Sequence, residues 1–80
     1  KTRENIVLLL ELAGHLGKEE LVEKVSAFLY HDDLELRRQA VLALGAIGTK
    51  KADELLSGLL TIEENKDIQL LVKKILSRKK

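Results

Sequence analysis

LELRRQAVLALGAIG, residues 34–48, is the stretch that decides the fold, because its pattern occurs more than once in the chain. A copy 31 positions earlier aligns Gly14 with Gly45 and Gly17 with Gly48, and a shortened copy follows 31 positions later. Few aligned positions are identical, but apolar residues align with apolar residues. A repeat period of roughly 20–50 residues is typical of solenoids, in which each unit buries its apolar face against its neighbours. The pattern therefore predicts a tandem-repeat scaffold.

Composition and charge narrow the classes of function. The 80 residues are 45% hydrophobic and 34% charged, which suits a folded domain. A chain this short buries only about 60–65% of the surface that its unfolded form exposes, so a large enclosed pocket is not expected. The net charge of +1 gives no general attraction to nucleic acid or to a membrane surface. No apolar run approaches the ~20 residues of a membrane-spanning helix, so we expect a soluble, cytoplasmic protein.

The spacing of apolar residues predicts an all-α fold of about five helices, and no segment alternates as a half-buried strand does. The predicted helices run from about Thr2 to Leu16, from Lys18 to Tyr30, from Asp33 to Gly48, from Thr49 through Leu60, and from Asn65 or Asp67 onward. The residues expected on their buried sides are Ile6, Leu9, Leu10, Ala13, Leu16, Leu21, Val25, Phe28, Leu29, Leu36, Ala40, Val41, Leu44, Ile47, Ala52, Leu55, Leu56, Leu59, Leu60, Leu71, Val72 and Ile75.

Capping residues mark the predicted helix ends. Gly17 and Gly48 are expected to supply left-handed C-terminal stops. Asp32 with Glu35 three residues later fits a capping arrangement at the start of the third helix, and Thr49 is the predicted N-cap of the fourth.

Two glycines, Gly14 and Gly45, lie inside predicted helices. Glycine costs roughly 1 kcal/mol relative to alanine at such positions. Two of them in register therefore predict a close approach of neighbouring helices or a bend.

The helices group into predicted units of about residues 2–32 and 33–63 and a partial unit 64–80, within one domain over residues 1–80. The chain begins with Lys1 and contains no methionine, so we expect a fragment of a longer protein. A central unit is covered on both sides, whereas end helices leave leucines in water at roughly 1.5–3 kcal/mol per side chain not buried. Self-association through the exposed end helices is therefore predicted.

The stretch from Asp33 to Leu60 resembles a HEAT-like repeat, of the short kind found in phycobilin lyases and many bacterial and archaeal scaffold proteins. The residues that carry the resemblance are Asp33, Leu36, Arg37, Arg38, Ala40, Leu44, Gly45, Ile47 and Gly48 in the first helix, with Ala52, Leu56 and Leu60 in the second. The first unit keeps the glycines but not the arginines, and the family's frequent Asp-Pro between the helices is absent from both units.

The resemblance implies a right-handed α-α superhelix, a short solenoid whose second helices line a concave binding face. It implies protein binding more often than catalysis, and no bilin chemistry, because no chromophore-handling residue carries over. The paired arginines of such repeats commonly brace neighbouring units. One of Arg37 and Arg38 is therefore expected to pair across the stack while the other faces water, with ligand contact as the alternative. The expected carboxylate partners are Asp33, Glu64 and Asp67.

The sequence contains no recognisable catalytic constellation. His31, Asp32 and Asp33 are donor types suited to a metal or acid–base site, but consecutive turn residues point in different directions and helix capping explains both aspartates. His15 has no chelating spacing to His31, and no glycine-rich loop could cradle phosphate. We therefore expect no enzyme activity, no metal site and no cofactor.

Aligned positions of the second helices define the candidate binding face. Its residues are Glu23, Ser26, Tyr30, Glu54, Ser57 and Thr61. Small residues flanked by acids and one tyrosine could receive a partner helix or a basic peptide. The alternative is that they form only the solvated side of amphipathic helices.

A basic cluster ends the chain, formed by Lys73, Lys74, Arg78, Lys79 and Lys80. Its ordinary role is to complement the helix dipole, and the alternative is salt-sensitive contact with nucleic-acid phosphates. Because the chain has only two aromatic residues to stack on bases, nucleic-acid binding is disfavoured. The favoured function is a protein-interaction scaffold with a partner of unknown identity. A nucleic-acid binder and a regulatory domain of a larger enzyme stay open as alternatives.

Overall fold

The computed structural model describes residues 2–78, which form helices and no strand. Helix α1 spans Thr2–Leu16, a 3-10 turn spans Glu19–Leu21, α2 spans Val22–Ser26, α3 spans Leu34–Ile47, α4 spans Lys50–Leu60 and α5 spans Lys66–Ser77. The central helix α3 contacts the other four. The predicted all-α fold of five helices is confirmed.

Helix α2 is much shorter than the predicted segment from Lys18 to Tyr30. At its start Lys18 offers no side-chain cap, and the chain enters through the 3-10 turn. At its end the Ser26 hydroxyl donates to the Glu23 carbonyl at 2.8 Å, a contact that weakens and bends helices. The N–H groups of Phe28 and Leu29 then bond to carbonyls three residues back, so the helix tightens and ends.

The start of α3 differs from the prediction by one residue. Asp33, not Asp32, is the N-cap, and its Oδ1 accepts a hydrogen bond from the Glu35 N–H at 2.9 Å. The backbone of Asp33 is extended, with φ −74° and ψ 118°. A carboxylate in that conformation reaches the N–H two residues later, and Asp32 lies one residue too early to do so.

The caps of α4 and α5 are confirmed. Thr49 Oγ1 accepts from the Ala52 N–H at 3.2 Å. Asn65, rather than Asp67, caps α5, because its Oδ1 accepts from the Ile68 N–H at 3.0 Å.

The two predicted glycine stops are also confirmed. Gly17 and Gly48 have φ of 62° and 69°, the left-handed conformation that a side chain disfavours. Their N–H groups bond back to the carbonyls of Ala13 and Leu44 at 3.0 and 2.9 Å. Each helix therefore ends at the predicted glycine.

One hydrophobic core joins all the helices. Its buried residues are Leu10, Ala13, Val22, Val25, Leu29, Ala40, Val41, Ala43, Leu44, Ile47, Ala52, Leu56, Leu59, Ile68, Val72 and Ile75. The prediction was wrong for Leu9 and Leu16, which are exposed, because α1 packs extensively against α3 alone. Val22 and Ile68 are buried although the periodicity did not single them out.

The helix-internal glycines mark close helix contacts, as predicted. A methyl group on Gly14 would lie 3.3 Å from the Ala43 Cα, where α1 crosses α3. A methyl group on Gly45 would lie 2.9 Å from Ile75 Cδ1, where α3 crosses α5. In contrast, Gly58 on α4 has no such atom within 4 Å.

An ion pair joins the start of α1 to the start of α3. Arg3 donates from Nε to Asp33 Oδ2 and from Nη2 to Oδ1, the second bond at 3.2 Å. The hydrogen bond from Arg3 is the main reason that the pKa of Asp33 falls from 3.8 to about 2. Partial burial opposes this shift, and the bond from the Glu35 N–H adds to it.

We predict opposite effects of two glycine substitutions on stability. Gly58→Ala should raise the free energy of unfolding by roughly 0.5–1 kcal/mol, because α4 gains helix propensity and the new methyl group meets no atom. Gly45→Val should lower it by about 1–3 kcal/mol, because the larger side chain overlaps Ile75. Urea titration of both variants checks this, and a loss of stability in both would contradict it.

We predict that Asp33 stabilises the fold at neutral pH and ceases to do so in acid. Its folded-state pKa lies below its ordinary value, so the stabilisation is complete above about pH 4 and is lost as pH falls toward 2. Arg3→Ala should return the pKa of Asp33 toward 3.8, as measured by NMR titration of the carboxyl carbon. Arg38→Ala is the control and should leave this pKa unchanged, because Arg38 contacts Glu35 instead.

Candidate interaction surface

The residues of the predicted binding face lie on α2 and α4 and in the turns after them. Glu23 and Ser26 belong to α2 and Glu54 and Ser57 to α4, while Tyr30 and Thr61 follow these helices. All of them except the half-buried Ser26 are exposed. The face is therefore accessible to a partner.

Two hydroxyl groups of this face are already engaged. Ser26 Oγ donates to the Glu23 carbonyl, and Thr61 Oγ1 donates to the Gly58 carbonyl at 2.7 Å. Each hydroxyl can therefore still accept a hydrogen bond from a partner but has no proton left to donate. The carboxylates of Glu23 and Glu54 are also acceptors, so the face as a whole suits a partner that brings donors.

A groove of about 300 Å³ lies where α2 and α4 end. Its lining residues are Leu29, Tyr30, Arg37, Leu59, Ile62, Glu63 and Glu64. Tyr30 and Ile62 expose 56% and 59% of their surface, which is high for large apolar side chains. The alignment of the two units predicted Tyr30 but not Ile62. The sequence signal for Ile62 was its position just beyond the end of the amphipathic helix α4, where a side chain can no longer be buried between α2 and α4.

The floor of this groove holds a bidentate ion pair between Arg37 and Glu63. Arg37 Nε and Nη2 each lie 3.1 Å from a Glu63 carboxylate oxygen, and the Glu63 side chain is only 4% exposed. The third nitrogen, Nη1, donates to the carbonyl oxygens of His31 and Asp32 at 2.9 and 3.3 Å. Glu63 Oε2 also accepts from the Asn65 N–H at 3.0 Å. All three guanidinium nitrogens are therefore engaged within the protein, and Arg37 braces the turns after α2 and α4.

The bracing role agrees with the expectation, but the predicted carboxylate partners were wrong. Arg37 pairs with Glu63, whose N–H bonds to the Leu59 carbonyl at 2.9 Å as the chain leaves α4. That turn directs Glu63 inward, whereas its neighbour Glu64 is exposed. Asp33 pairs with Arg3 instead. Arg38 is exposed, and its guanidinium lies 3.8 Å from the Glu35 carboxylate on the same helix.

His31, the candidate acid–base residue, has structural contacts. Its Nδ1 accepts from the Asp33 N–H at 3.0 Å, and its ring stacks on Phe28 with the ring centres 6.1 Å apart. Within residues 2–78 no three His, Asp or Glu side chains are grouped so that they could hold a metal ion. None of the helices in that range has the length and apolar character needed to cross a bilayer.

Part of the predicted basic cluster lies on the exposed end of α5. Lys73, Lys74 and Arg78 are exposed. Lys79 and Lys80 lie outside the described residues. Helix α5 contains no aromatic residue, so the described part of the cluster offers no platform on its own helix for stacking bases.

A protein-family model described as HEAT repeats matches residues 1–75. No curated protein and no solved structure matches the chain at a significant level. The family match covers both complete helix pairs and most of α5, so it supports the resemblance first seen in residues 33–60.

We predict that the Arg37–Glu63 pair contributes far more to stability than the exposed Arg38. Arg37→Ala should lower the free energy of unfolding by roughly 2–4 kcal/mol, because it leaves the Glu63 carboxylate buried without its cation. The matched control Arg38→Ala should change it by less than about 0.5 kcal/mol. Chemical denaturation of the two variants measures both values, and equal losses would contradict the bracing role of Arg37.

Proposed function

The chain belongs to the HEAT-repeat family, and from this premise we propose that it is a non-catalytic scaffold that binds a partner protein on the face formed by α2 and α4. HEAT repeats are generally protein-interaction scaffolds and typically lack catalysis. The proposed contact residues are Glu23, Ser26, Tyr30, Glu54, Ser57 and Thr61. In this proposal residues 2–32 and 33–63 are the repeat units that supply one second helix each.

The observation that carries the proposal is the pair of exposed apolar side chains, Tyr30 and Ile62, on one groove. Aromatic residues at the rim of a groove are common anchors of protein interfaces. The Arg37–Glu63 pair holds the floor of this groove in one arrangement, so little free energy is lost in ordering the groove when a partner binds. A preformed groove with an aromatic anchor favours protein binding over a merely solvated surface.

The charge of the face points to the chemistry of the partner. Glu23, Glu54 and Glu64 are exposed, and the described lining of the groove has one cation, Arg37, which Glu63 already neutralises. The partner segment would place an apolar side chain between Tyr30 and Ile62 and direct lysine or arginine side chains to the glutamates. If the partner that carries this segment is an enzyme, the chain would act as its regulatory domain through the same face.

Self-association through the end helices and a cytoplasmic location also belong to the proposal.

Nucleic-acid binding through Lys73, Lys74 and Arg78 is the competing function. These cations account for solubility and for the dipole of α5 without any nucleic acid. The two functions differ in salt dependence, since phosphate binding weakens steeply as salt rises.

We predict that Tyr30→Ala weakens partner binding without unfolding the chain. After a partner is captured and identified, calorimetry should show a dissociation constant about tenfold higher or more for this variant. Glu23→Ala and Glu54→Ala should each weaken binding by a smaller factor, because exposed charges contribute less. The thermal unfolding of all three variants should match that of the original chain.

The control for this experiment is Glu11→Ala, which removes an exposed carboxylate on α1, and it should leave affinity unchanged. Unchanged affinity in all three face variants would refute the proposed site. Salt-sensitive retention on DNA that disappears in Lys73→Ala/Lys74→Ala would instead support the nucleic-acid function.

A further inference from the structure

The outer side of α1 is apolar and uncovered, although the repeat pattern assigns it to an interior position. Leu9, Leu12 and Leu16 expose 64%, 52% and 51% of their surface. The residues aligned with them 31 positions later in α3 are buried and expose 0%, 4% and 9%: Ala40, Ala43 and Ile47. Of these three α3 residues, Ala43 lies against Gly14 of α1. The equivalent side of α1 is therefore built like an interface but has no neighbour.

The uncovered surface continues onto the α2 segment. Leu21 and Phe28 are half-buried, whereas the residues aligned with them, Ala52 and Leu59, are buried. A groove of about 270 Å³ runs between α1 and α2, and its lining is apolar apart from Lys24. We call the surface formed by Leu9, Leu12, Leu16, Leu21 and Phe28 the α1–α2 face.

Side-chain size restricts what can cover this face. Where α1 packs on α3, the contact residue is Ala43, and the helices are so close that a methyl group on Gly14 would lie only 3.3 Å from the Ala43 Cα. On the α1–α2 face the aligned position is Leu12. A covering helix cannot come equally close, and it must interdigitate its own side chains with leucines. Leu9, Leu12 and Leu16 follow the alternating three- and four-residue spacing of a coiled-coil seam, which packs best against a like seam.

The other end of the chain does not offer such a seam. The outer side of α5 has one strongly exposed leucine, Leu70, among exposed charges. These charges are Lys66, Asp67, Lys73, Lys74 and Arg78. Packing this end on the α1–α2 face of a second copy would bury charged side chains against leucines without partners, which is costly. Packing two α1–α2 faces together instead joins apolar surface to apolar surface.

We propose that a second copy of the chain docks on the α1–α2 face, so that the two α1–α2 hairpins pack as a four-helix bundle around a two-fold axis. Such a contact uses the same patch on both copies and closes on itself, which is the commonest symmetry of homo-oligomers. This deepens the self-association in the proposed function by naming the face and the symmetry. The groove lined by Tyr30 and Ile62, here called the Tyr30 groove, has no residue in common with the α1–α2 face. Partner binding can therefore continue in the dimer.

Sedimentation equilibrium from micromolar to millimolar concentration tests this proposal. The original chain should form dimers and no larger species, and Leu9→Glu/Leu12→Glu should raise the dissociation constant by roughly a hundredfold or more. Both leucines are exposed in the single chain, so circular dichroism should show the variant folded. Leu70→Glu is the matched control, since Leu70 is as exposed as Leu9 but lies at the opposite end. It should leave the dimer intact.

Cross-linking distinguishes the orientation of the two copies. The chain has no cysteine, so Leu12→Cys provides a single thiol in the middle of the seam. Under mild oxidation Leu12→Cys should form a disulfide with a second copy of itself. A mixture of Leu12→Cys and Leu70→Cys chains should give no mixed disulfide.

Three results would overturn the proposal: a monomer at every concentration, association that survives Leu9→Glu/Leu12→Glu, or preferential mixed disulfides, which indicate head-to-tail stacking. Tyr30→Ala should leave the dimer unchanged. Failure of the dimer and failure of partner binding at the Tyr30 groove are therefore separate outcomes.

Discussion

Close helix approach at α3 is the constraint on which the rest of the structure depends. Buried leucines on α3 gain their neighbours only because α1 and α5 can approach its backbone, and small residues permit this on both sides. Ala43 meets Gly14 on one side, and Gly45 meets Ile75 on the other. Interiors are packed too tightly to absorb even one extra methylene without strain. The positions of α1 and α5, and through them of the surfaces they expose, follow from the small residues on α3.

Two ion pairs add direction to this packing. Arg3 ties the start of α1 to Asp33 at the start of α3, and Arg37 ties the turn after α2 to Glu63 after α4. The desolvation of partly buried charges offsets much of their attraction, so their main effect is on geometry. Because each pair joins segments far apart in the sequence, a slip of one helix past another would break it. The Arg37–Glu63 pair determines the shape of the Tyr30 groove, because it forms the floor of that groove.

The sequence predicted the features that depend on local signals. The ends of α1 and α3 and the starts of α4 and α5 were predictable, because Gly17, Gly48, Thr49 and Asn65 act within one turn of themselves. The length of α2 was not predictable. Its apolar pattern favours a longer helix, but the uncapped ends and the Ser26 hydroxyl shorten it. The partner of Arg37 was also missed, because the path of the chain after α4 determines whether Glu63 or Glu64 points inward.

Burial on α1 and the candidate site required information beyond periodicity. A helical pattern shows which residues can be buried together, but not whether a neighbour is present to bury them. Leu9 and Leu16 therefore looked like core residues. The acidic residues and Tyr30 of the proposed binding face were predicted by aligning the units. The alignment did not identify Ile62, because its signal lies beyond the aligned helices, in an isoleucine of the turn that follows α4.

The close contacts of Gly14 with Ala43 and of Gly45 with Ile75, here called the glycine joints, have a consequence for how such a chain can change in length. Helix α3 carries the small residue of one joint, Gly45, on one side and the side chain that fills the other joint, Ala43, on the opposite side. A duplicated stretch of 31 residues that contains α3 would thus bring both halves of a new joint with it. Growth by whole units keeps these contacts in register, whereas an insertion of another size within α3 would move Gly45 or Ala43 out of its contact.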